Sequence, residues 1–224
     1  MPGPVLFDFG GTLDADGEPW GERMYRGYRA AGGRAAPAAF DDGFGESDRR
    51  LALTPGIAAL GLSAMVERQI ELLRPLLADG RAVDARAWAA GFLGAVRVTA
   101  ARNLPVLREL KRTRPLGVIS NFTGNLRPCL EELGLLDCFD VVLDSAVVGL
   151  RKPDARLFRV AFTAFGRGAK ECWMVGDNPA ADIAAAAALG CSTCWLAPAE
   201  RPLPAGLRPD RRIGSLTELP AVLD

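Results

Sequence analysis

The chain has 224 residues, of which 49% are hydrophobic and 24% are charged. This composition is ordinary for a globular protein and excludes a disordered chain, a collagen-like repeat and a small disulfide-stabilised scaffold. The 27 basic and 27 acidic residues cancel, so nothing in the net charge favours nucleic acid or an anionic membrane as a partner. The absence of histidine excludes histidine-based triads, histidine general bases and imidazole-bound zinc.

The five cysteines are an odd number, and no apolar run is long enough for a secretory signal or a membrane span. We therefore expect a reducing, cytoplasmic compartment and no membrane contact. Cys191 and Cys194 have the spacing of a redox or zinc-binding pair, but no second pair completes a zinc site. Two small apolar side chains near a strand are the favoured interpretation.

The first predicted element is a short buried strand at residues 5–9, which ends at the turn residues Gly10 and Gly11. From about residue 20 to 102 the sequence is rich in Ala, Leu, Arg and Glu and poor in β-branched residues. That composition favours helices, so this stretch is interpreted as an all-helical insertion. Helices are predicted most clearly at 65–77 and 85–101, with breaks at 32–33, 54–56 and 79–80.

Beyond the insertion, predicted strands alternate with predicted helices, which is typical of a doubly wound parallel sheet with helices on both faces. A Pro- and Arg-rich stretch at 200–212 is predicted to be an exposed loop. The fold class is therefore α/β. The later strands are predicted at 116–120, 140–144, 172–177 and 192–196, and the later helices at 126–133, 154–165, 180–189 and 216–223.

Polar side chains follow the predicted strands, and in a doubly wound sheet ligands bind beyond the carboxyl ends of the strands. Carboxylates suit Mg²⁺, whereas hydroxyl, amide and ammonium groups suit phosphoryl oxygens. A carboxylate beside the metal can also attack phosphorus and form an acyl phosphate. The sequence therefore predicts a site for Mg²⁺ and a phosphate group. Its candidate members are Asp8, Thr12, Ser120, Asn121, Lys152, Asp177 and Asp182.

Four segments resemble, in order and placement, the motifs of the haloacid dehalogenase-like hydrolase superfamily. They are DFGGTL at 8–13, ISN at 119–121, GLRKPD at 149–154 and GDNPAAD at 176–182. The resemblance extends from about residue 5 to residue 223. It implies a Rossmann-like core, residues 1–16 and 101–224, with a helical cap, residues 17–100, inserted between the first and second motifs.

The resemblance also implies an activity, that of a Mg²⁺-dependent phosphatase of small phosphorylated metabolites. We expect a monomer or a homodimer. It makes Asp8 the nucleophile, and it makes Asp177 and the Gly10 carbonyl metal ligands. From the carboxylate chemistry, Asp8 is also expected to be a metal ligand, and Asp182 is expected to support these ligands or to reach the metal through water. The phosphate contacts that the resemblance implies are Thr12, Ser120 and Lys152.

One position departs from the family pattern. Phosphatases of the family usually carry a second Asp two residues after the nucleophile, where it protonates the leaving group and then activates water. This chain has Gly10 there. General acid–base help is typically worth about 10²- to 10⁴-fold in rate, so its loss matters. Our hypothesis is that Asp14 or Asp16 supplies it; the alternative is that both are turn residues before Gly17.

Two other interpretations stay open. A 2-haloacid dehalogenase of the same superfamily also lacks the second Asp and carries a Ser-Asn pair, but it needs no metal, and the metal-type motif at 176–182 is present. The second alternative is a catalytically weak or silent member that binds a phosphorylated ligand or a protein partner.

The first helix of the insertion carries aromatic and basic side chains of undecided role. Trp20, Tyr25 and Tyr28 fit either substrate contacts or a packed helix face. Arginines of the same segment, such as Arg23 and Arg26, fit either a site for an acidic group or an exposed face, and the exposed face is favoured.

Overall fold

The structure is a computed structural model that describes residues 2–223. In that range six strands form one sheet in which every neighbouring pair is parallel. The strands are β1 (Val5–Phe7), β2 (Leu116–Ser120), β3 (Val141–Asp144), β4 (Trp173–Gly176), β5 (Ser192–Leu196) and β6 (Arg211–Ile213). Their order is β3-β2-β1-β4-β5-β6, so β1 lies between β2 and β4 and all carboxyl ends share one edge.

Four α-helices separate β1 from β2 in the described range, and the others alternate with later strands. The helices are α1 (Trp20–Ala30), α2 (Pro37–Ala52), α3 (Leu62–Leu73), α4 (Ala85–Lys111), α5 (Leu126–Glu132), α6 (Ser145–Val148), α7 (Ala155–Phe165) and α8 (Ala185–Ala188). A π-helical turn (Pro179–Ala184) precedes α8. Short 3₁₀ segments are Ile57–Ala59, Arg74–Leu76, Gly80–Ala82, Leu136–Cys138, Ala169–Glu171 and Leu216–Ala221.

Helices cover both faces of the sheet because successive side chains of a strand point to opposite sides. Val5 and Phe7 of β1 belong to a large apolar cluster that includes Leu107 of α4 and continues into the insertion. Leu6, between them, belongs to a second cluster with Phe158 of α7. The predicted class is thereby confirmed: a Rossmann-like, doubly wound parallel sheet with an inserted helical segment.

Helix α4 joins the insertion to the sheet. It begins after Asp84, whose carboxylate accepts hydrogen bonds from the backbone N–H groups of Arg86 and Ala87, and it continues to Lys111 with Pro105 in its interior. The predicted boundary at residue 100 therefore lies within one continuous helix, whose end at Lys111 is ten residues beyond the predicted end at 101. In residues 2–223, neither α4 nor another helix is both long and apolar enough to span a membrane.

The C-terminal part differs from the predictions in three places. The predicted loop at 200–212 contains the start of β6, a short edge strand that exposes Arg211 and Arg212 and therefore lacks an apolar pattern. The predicted helix at 180–189 divides into the π-helical turn and α8. The predicted helix at 216–223 is a 3₁₀ segment that contains Pro220, which has no backbone N–H to donate.

The cysteines are buried free thiols. Burial raises the pKa of Cys191 to about 12 and that of Cys194 to about 12, although Arg211 acts in the opposite direction on Cys194. Thiols with such pKa values are poor nucleophiles and poor metal ligands at neutral pH. Their surroundings favour the interpretation of this pair as small apolar side chains.

Candidate active site

Three carboxylates meet at the carboxyl edge of the sheet. Asp8 follows β1 and donates its backbone N–H to the carbonyl of Val175 at 3.0 Å, which ties it to the adjacent strand β4. Asp177 directly follows β4, and Asp182 lies one turn further on. Asp8, Asp177 and Asp182 are buried, and each offers a carboxylate oxygen within 4.8 Å of the others.

The ammonium of Lys152 lies between two of these carboxylates. Its Nζ is 2.8 Å from Oδ1 of Asp8 and 2.6 Å from Oδ1 of Asp182. Asn121 holds the lysine backbone from both sides: its Oδ1 accepts the Lys152 N–H at 2.7 Å, and its Nδ2 donates to the Lys152 carbonyl at 2.9 Å. Two of the polar groups of Asn121 are thus engaged in positioning Lys152.

The loop after β2 is held by hydrogen bonds to the end of β3. The Asp144 carboxylate accepts from the backbone N–H groups of Gly124 and Leu126 at 2.9 and 3.0 Å. Ser145 Oγ accepts the N–H of Phe122 at 3.0 Å. Ser120, at the start of this loop, is buried and lines the main cavity, and its hydroxyl makes no side-chain hydrogen bond within residues 2–223.

The turn after Asp8 approaches Asp177 closely. Gly11 has φ of +96°, and a Cβ on it would collide with the Asp177 carboxylate, so only glycine fits there. Thr12 donates its hydroxyl to Oδ1 of Asp177 at 3.1 Å. The geometry therefore gives Thr12 a role in orienting Asp177, and its direct contact with phosphate stays a prediction.

Asp14 is enclosed beneath the site. Its carboxylate accepts from the Gly11 N–H at 2.7 Å and from Arg23 Nη2 at 2.6 Å. Burial raises the pKa of Asp14, although Arg23 opposes the rise. The Arg23 guanidinium in turn lies 5.3 Å from the Trp20 ring centre and 5.0 Å from that of Phe92. Arg23, predicted to be on an exposed face, is therefore a buried partner of Asp14.

Asp16 occupies a more open position, where it pairs with Arg102 at 2.6 Å. Neither Asp14 nor Asp16 lines the cavity that contains Asp8, whereas Asp48 of α2 does. Asp48 is exposed on one side, and partial burial raises its pKa while Arg151 and Arg49 act against the rise. The acid–base role of Asp14 or Asp16 stays a prediction.

Gly10 lies directly against the Trp20 side chain. A Cβ on Gly10 would be 3.2 Å from Cε3 of the Trp20 indole. The indole is itself held among three phenylalanine rings, with centroid distances of 6.2 Å to Phe9, 4.9 Å to Phe92 and 6.2 Å to Phe122. The space beside Gly10 is therefore taken by an aromatic ring.

Asp182 belongs to the π-helical turn, a local irregularity that is frequent at functional sites. Its Oδ2 accepts the backbone N–H of Asn178 at 3.0 Å. The side chain of Asn178 accepts from the N–H groups of Ala180 and Ala181 at 3.0 and 2.9 Å, which caps the turn. This turn directs Asp182 back towards Asp8.

The electrostatics of the carboxylate cluster favour a bound cation. Burial, reinforced by the charges of Asp8 and Asp182, raises the pKa of Asp177 well above its usual range. Burial raises the pKa of Asp182 to about 6, although Lys152 lowers it. Burial alone would lower the pKa of Lys152, but the charges of Asp182 and Asp8 raise it. Three carboxylates and one ammonium leave an excess of negative charge, and this oxygen donor set fits Mg²⁺.

A cavity of about 570 Å³ opens above the cluster, between the sheet edge and helices α1–α3. This size is within the usual range for small-molecule sites. On the sheet side its lining includes Asp8, Ser120, Asn121, Lys152 and Asp182. On the side of the insertion the lining includes Trp20, Phe44, Asp48, Leu51, Met65 and Gln69.

The side chains on the insertion side, Trp20 excepted, are functional candidates that the sequence analysis missed. Phe44, Asp48 and Leu51 follow helical spacing on α2, and Met65 and Gln69 are four residues apart on α3. This periodicity identifies one face of each helix. Which face lies over the sheet edge depends on tertiary packing. Tyr28, by contrast, is fully buried in the apolar core.

The fold, the carboxylate cluster and the opposed lysine define a hydrolase of the α/β class with a helical insertion. A model of the haloacid dehalogenase-like hydrolase family matches residues 5–190, and the chain belongs to this family.

The individual proteins that the chain is similar to include phosphate-ester hydrolases and a dehalogenase. A stretch of 110 residues is 40% identical to phosphoserine phosphatase of Thermus thermophilus and covers 49% of this chain and 44% of that protein. A stretch of 120 residues is 33% identical to a pyrimidine 5′-nucleotidase of Escherichia coli and covers 53% of each. The chain thus matches about half the length of these relatives. The solved 2-haloacid dehalogenase of Pseudomonas syringae is 27% identical with a TM-score of 0.58, over 100% of this chain and 98% of that one.

Proposed function

We propose that the protein is a Mg²⁺-dependent phosphatase of small phosphorylated metabolites and that Asp8 is its nucleophile. The observation that carries the proposal is the contact of Asp8 with Lys152, 2.8 Å away, within a cluster that Asp177 and Asp182 complete. The phosphatase and nucleotidase names of the two relatives support it. Because those matches span half of each relative, activity and substrate are proposed for this chain and not transferred.

In the first step an oxygen of the Asp8 carboxylate attacks phosphorus. The bond between phosphorus and the leaving oxygen breaks, its electron pair stays on that oxygen, and an aspartyl phosphate forms. The Lys152 ammonium holds the nucleophile in place and offers its charge to the phosphoryl oxygens. The free hydroxyl of Ser120 at the cavity wall donates a hydrogen bond to the same group. Asn121 acts through the lysine backbone that it binds.

In the second step water attacks the phosphorus of the aspartyl phosphate, which releases inorganic phosphate and restores Asp8. We propose Asp8, Asp177, Asp182 and the Gly10 carbonyl as the groups that would hold Mg²⁺. Bound there, the ion supplies positive charge to the phosphoryl oxygens. Thr12 fixes the orientation of Asp177 through its hydroxyl.

Proton transfer to the leaving oxygen needs another group because Gly10 has no side chain. Asp14 and Asp16 are the predictions from sequence. Asp48 is a third candidate, supported by its place in the cavity lining and by a pKa that burial raises towards the range useful for a general acid.

The helical residues 17–100 are proposed as a cap over the cavity. They provide the wall opposite Asp8, including Phe44 and Gln69, and such a wall excludes water from the reacting group. We further propose a cytoplasmic location, which the five unpaired cysteines support.

Hydrolysis of an aryl phosphate by the purified protein tests the proposal, with Mg²⁺, with excess chelator and with the Asp8→Asn variant. We expect activity that requires both the metal and Asp8. Asp42→Asn is the matched control, because Asp42 is an exposed carboxylate of α2 outside the cavity lining. Turnover that survives Asp8→Asn would contradict the assignment of the nucleophile.

A 2-haloacid dehalogenase is the second candidate. The similarity to the Pseudomonas syringae enzyme over the whole chain favours it, and a halide leaving group needs no proton, which agrees with Gly10. Halide release from 2-haloacids in the presence of chelator, lost in Asp8→Asn, would replace the phosphatase proposal. Absence of both activities would favour a silent protein that binds a phosphorylated ligand.

A further inference from the structure

One polar side chain on the insertion side of the cavity lacks a partner in the protein. Gln69 of α3 is 2% exposed and lines the cavity that contains Asp8. Its carboxamide makes no hydrogen bond to another residue in the part of the chain that the structure describes. Neither amide atom of Gln69 is fully enclosed by protein, so both are reached from the cavity. A ligand that fills the cavity and displaces water there must pair them, because leaving a buried amide unpaired is costly.

The surroundings of Gln69 are apolar. Leu51 and Met65 are buried beside it in the lining, and Phe44 and Trp20 add aromatic surface to the same wall. The charged members of the lining from the insertion, Asp48 and Arg49, are exposed, as is Arg151, which places these charges at the mouth of the cavity. Among the described residues, the carboxamide is thus the buried polar group that the insertion contributes to the lining, and the sheet side adds the buried hydroxyl of Thr123, which contacts Met65.

A carboxamide is neutral, and it both donates and accepts hydrogen bonds. A carboxylate or an ammonium buried against this wall would find no opposite charge, which is unfavourable in an apolar environment. A neutral hydroxyl or amide would satisfy Gln69 and be satisfied by it. Asp8 and Ser120 line the cavity from the sheet edge and Gln69 lines it from the insertion, so a substrate whose phosphate lies at Asp8 would extend its leaving group along this wall.

We propose that Gln69 is a specificity-determining residue that hydrogen-bonds the leaving group, an inference that rests on the proposed phosphatase function. The substrate class is a phosphomonoester whose leaving group has a mainly apolar body and one neutral hydroxyl or carboxamide. Sites built to hydrogen-bond such a group strongly reject analogues that lack it, because the buried polar atom of the site is then left unpaired.

The first experiment compares two esters, benzyl phosphate and its 4-carboxamide derivative, in the wild type and in Gln69→Leu. We expect the wild type to favour the carboxamide in kcat/KM by about ten-fold or more, mainly through KM, and Gln69→Leu to bring the ratio near one. Glu67→Leu, an exposed site on the same helix outside this cavity, is the matched control and keeps the wild-type ratio. A ratio unchanged by Gln69→Leu would overturn the proposal.

Two further measurements distinguish ligand binding by Gln69 from a purely structural role, and this inference from the proposed function. If Gln69 only supported the fold, Gln69→Leu would lower the melting temperature. We expect the melting temperature to be unchanged, because the amide makes no hydrogen bond to another described residue. Calorimetric binding of the two corresponding benzylphosphonates needs no turnover. A preference for the carboxamide that depends on Gln69, in a protein without phosphatase activity, would retain this inference and reject the proposed function. Equal binding of the two phosphonates, or binding of neither, would reject the inference itself.

Discussion

The indole of Trp20 packs against Gly10: its Cε3 atom lies 3.2 Å from the position that a Cβ on Gly10 would take. Glycine at this position and tryptophan at the start of α1 are therefore matched. Gly10 carries no side chain, and the space beside it is taken by a ring from the insertion. The two positions form one structural unit.

Restoring the carboxylate tests this relationship. We expect Gly10→Asp alone to lower the melting temperature without raising turnover, since its Cβ would lie 3.2 Å from the indole and force the packed ring to shift. Overpacking typically costs about 1–3 kcal/mol. Combined with Trp20→Leu, the same aspartate should raise kcat for an alkyl phosphate about ten-fold or more above Trp20→Leu alone. A stable and faster Gly10→Asp single variant would show that the ring does not block the position.

Asp14 and Asp16 form a natural pair for testing acid–base catalysis against structural support. Asp14→Asn leaves the buried guanidinium of Arg23 without its counter-charge, so we expect the free energy of unfolding to fall by about 3–5 kcal/mol. Asp16→Asn breaks a partly exposed pair with Arg102 and should cost about 1 kcal/mol or less. Denaturant titration measures both. If the pH profile of kcat/KM loses a limb in either variant, that aspartate takes part in proton transfer.

For Asp48 we predict the effects expected of a group that protonates the leaving oxygen. An acid that protonates the leaving oxygen must hold its proton, so activity on alkyl phosphates should decline as the pH rises through the raised pKa of Asp48. Asp48→Asn should lower kcat about 10²-fold for alkyl phosphates and much less for nitrophenyl phosphate, whose leaving group needs no proton. The control Asp42→Asn should match the wild type on both substrates. An equal loss on both substrates would assign Asp48 to binding.

The carboxylate cluster should reduce the stability of the metal-free protein as the pH rises from about 4 to about 6. Asp182 ionises near 3.8 when unfolded but keeps its proton to about 6 when folded, so the folded state binds more protons in this window. Asp177, with its pKa also raised, acts in the same direction. Melting temperatures in chelator measure the effect, and Asp182→Asn should reduce it.

Mg²⁺ binds the ionised carboxylates, so its effect should depend on pH in the opposite direction. We expect the rise in melting temperature on adding Mg²⁺ to be larger at about pH 7.5 than at about pH 5. Ca²⁺ and K⁺ at matched ionic strength serve as controls for selectivity and for screening. An equal rise at both pH values would mean that Mg²⁺ acts elsewhere on the protein.

The sheet side of the site was predictable from sequence because it depends on the topology of the sheet. Parallel strands place their carboxyl ends on one edge, so the residues after the strands were expected there together. The strand order, which the sequence did not predict, then makes β1 and β4 adjacent and brings Asp8 close to Asp177. The motif at 149–154 likewise located Lys152, which contacts Asp8. β2 was predicted with its observed bounds, 116–120, because its five residues are apolar or small and are all buried.

The insertion side of the cavity was not predictable in the same way. Gln69 and Asp48 lie on helices whose orientation depends on packing across the insertion, and no local pattern specifies it. Arg23 resembles the exposed arginines around it in the sequence, yet Asp14 and two aromatic rings enclose it. β6 was missed for a related reason, because an edge strand with exposed arginines has no apolar signature.

The continuity of α4 has a mechanical consequence. Its 27 residues form a rod about 40 Å long, and its far end buries Leu107 and Leu110 against the sheet. The other connection between insertion and sheet, residues 14–19, has no regular secondary structure. Any displacement of the insertion therefore acts on a long helix on one side and, on the other, on an irregular segment that Asp14 and Asp16 hold through Arg23 and Arg102. Pro105, which interrupts the hydrogen-bond ladder of the rod, is the point where that helix bends most easily.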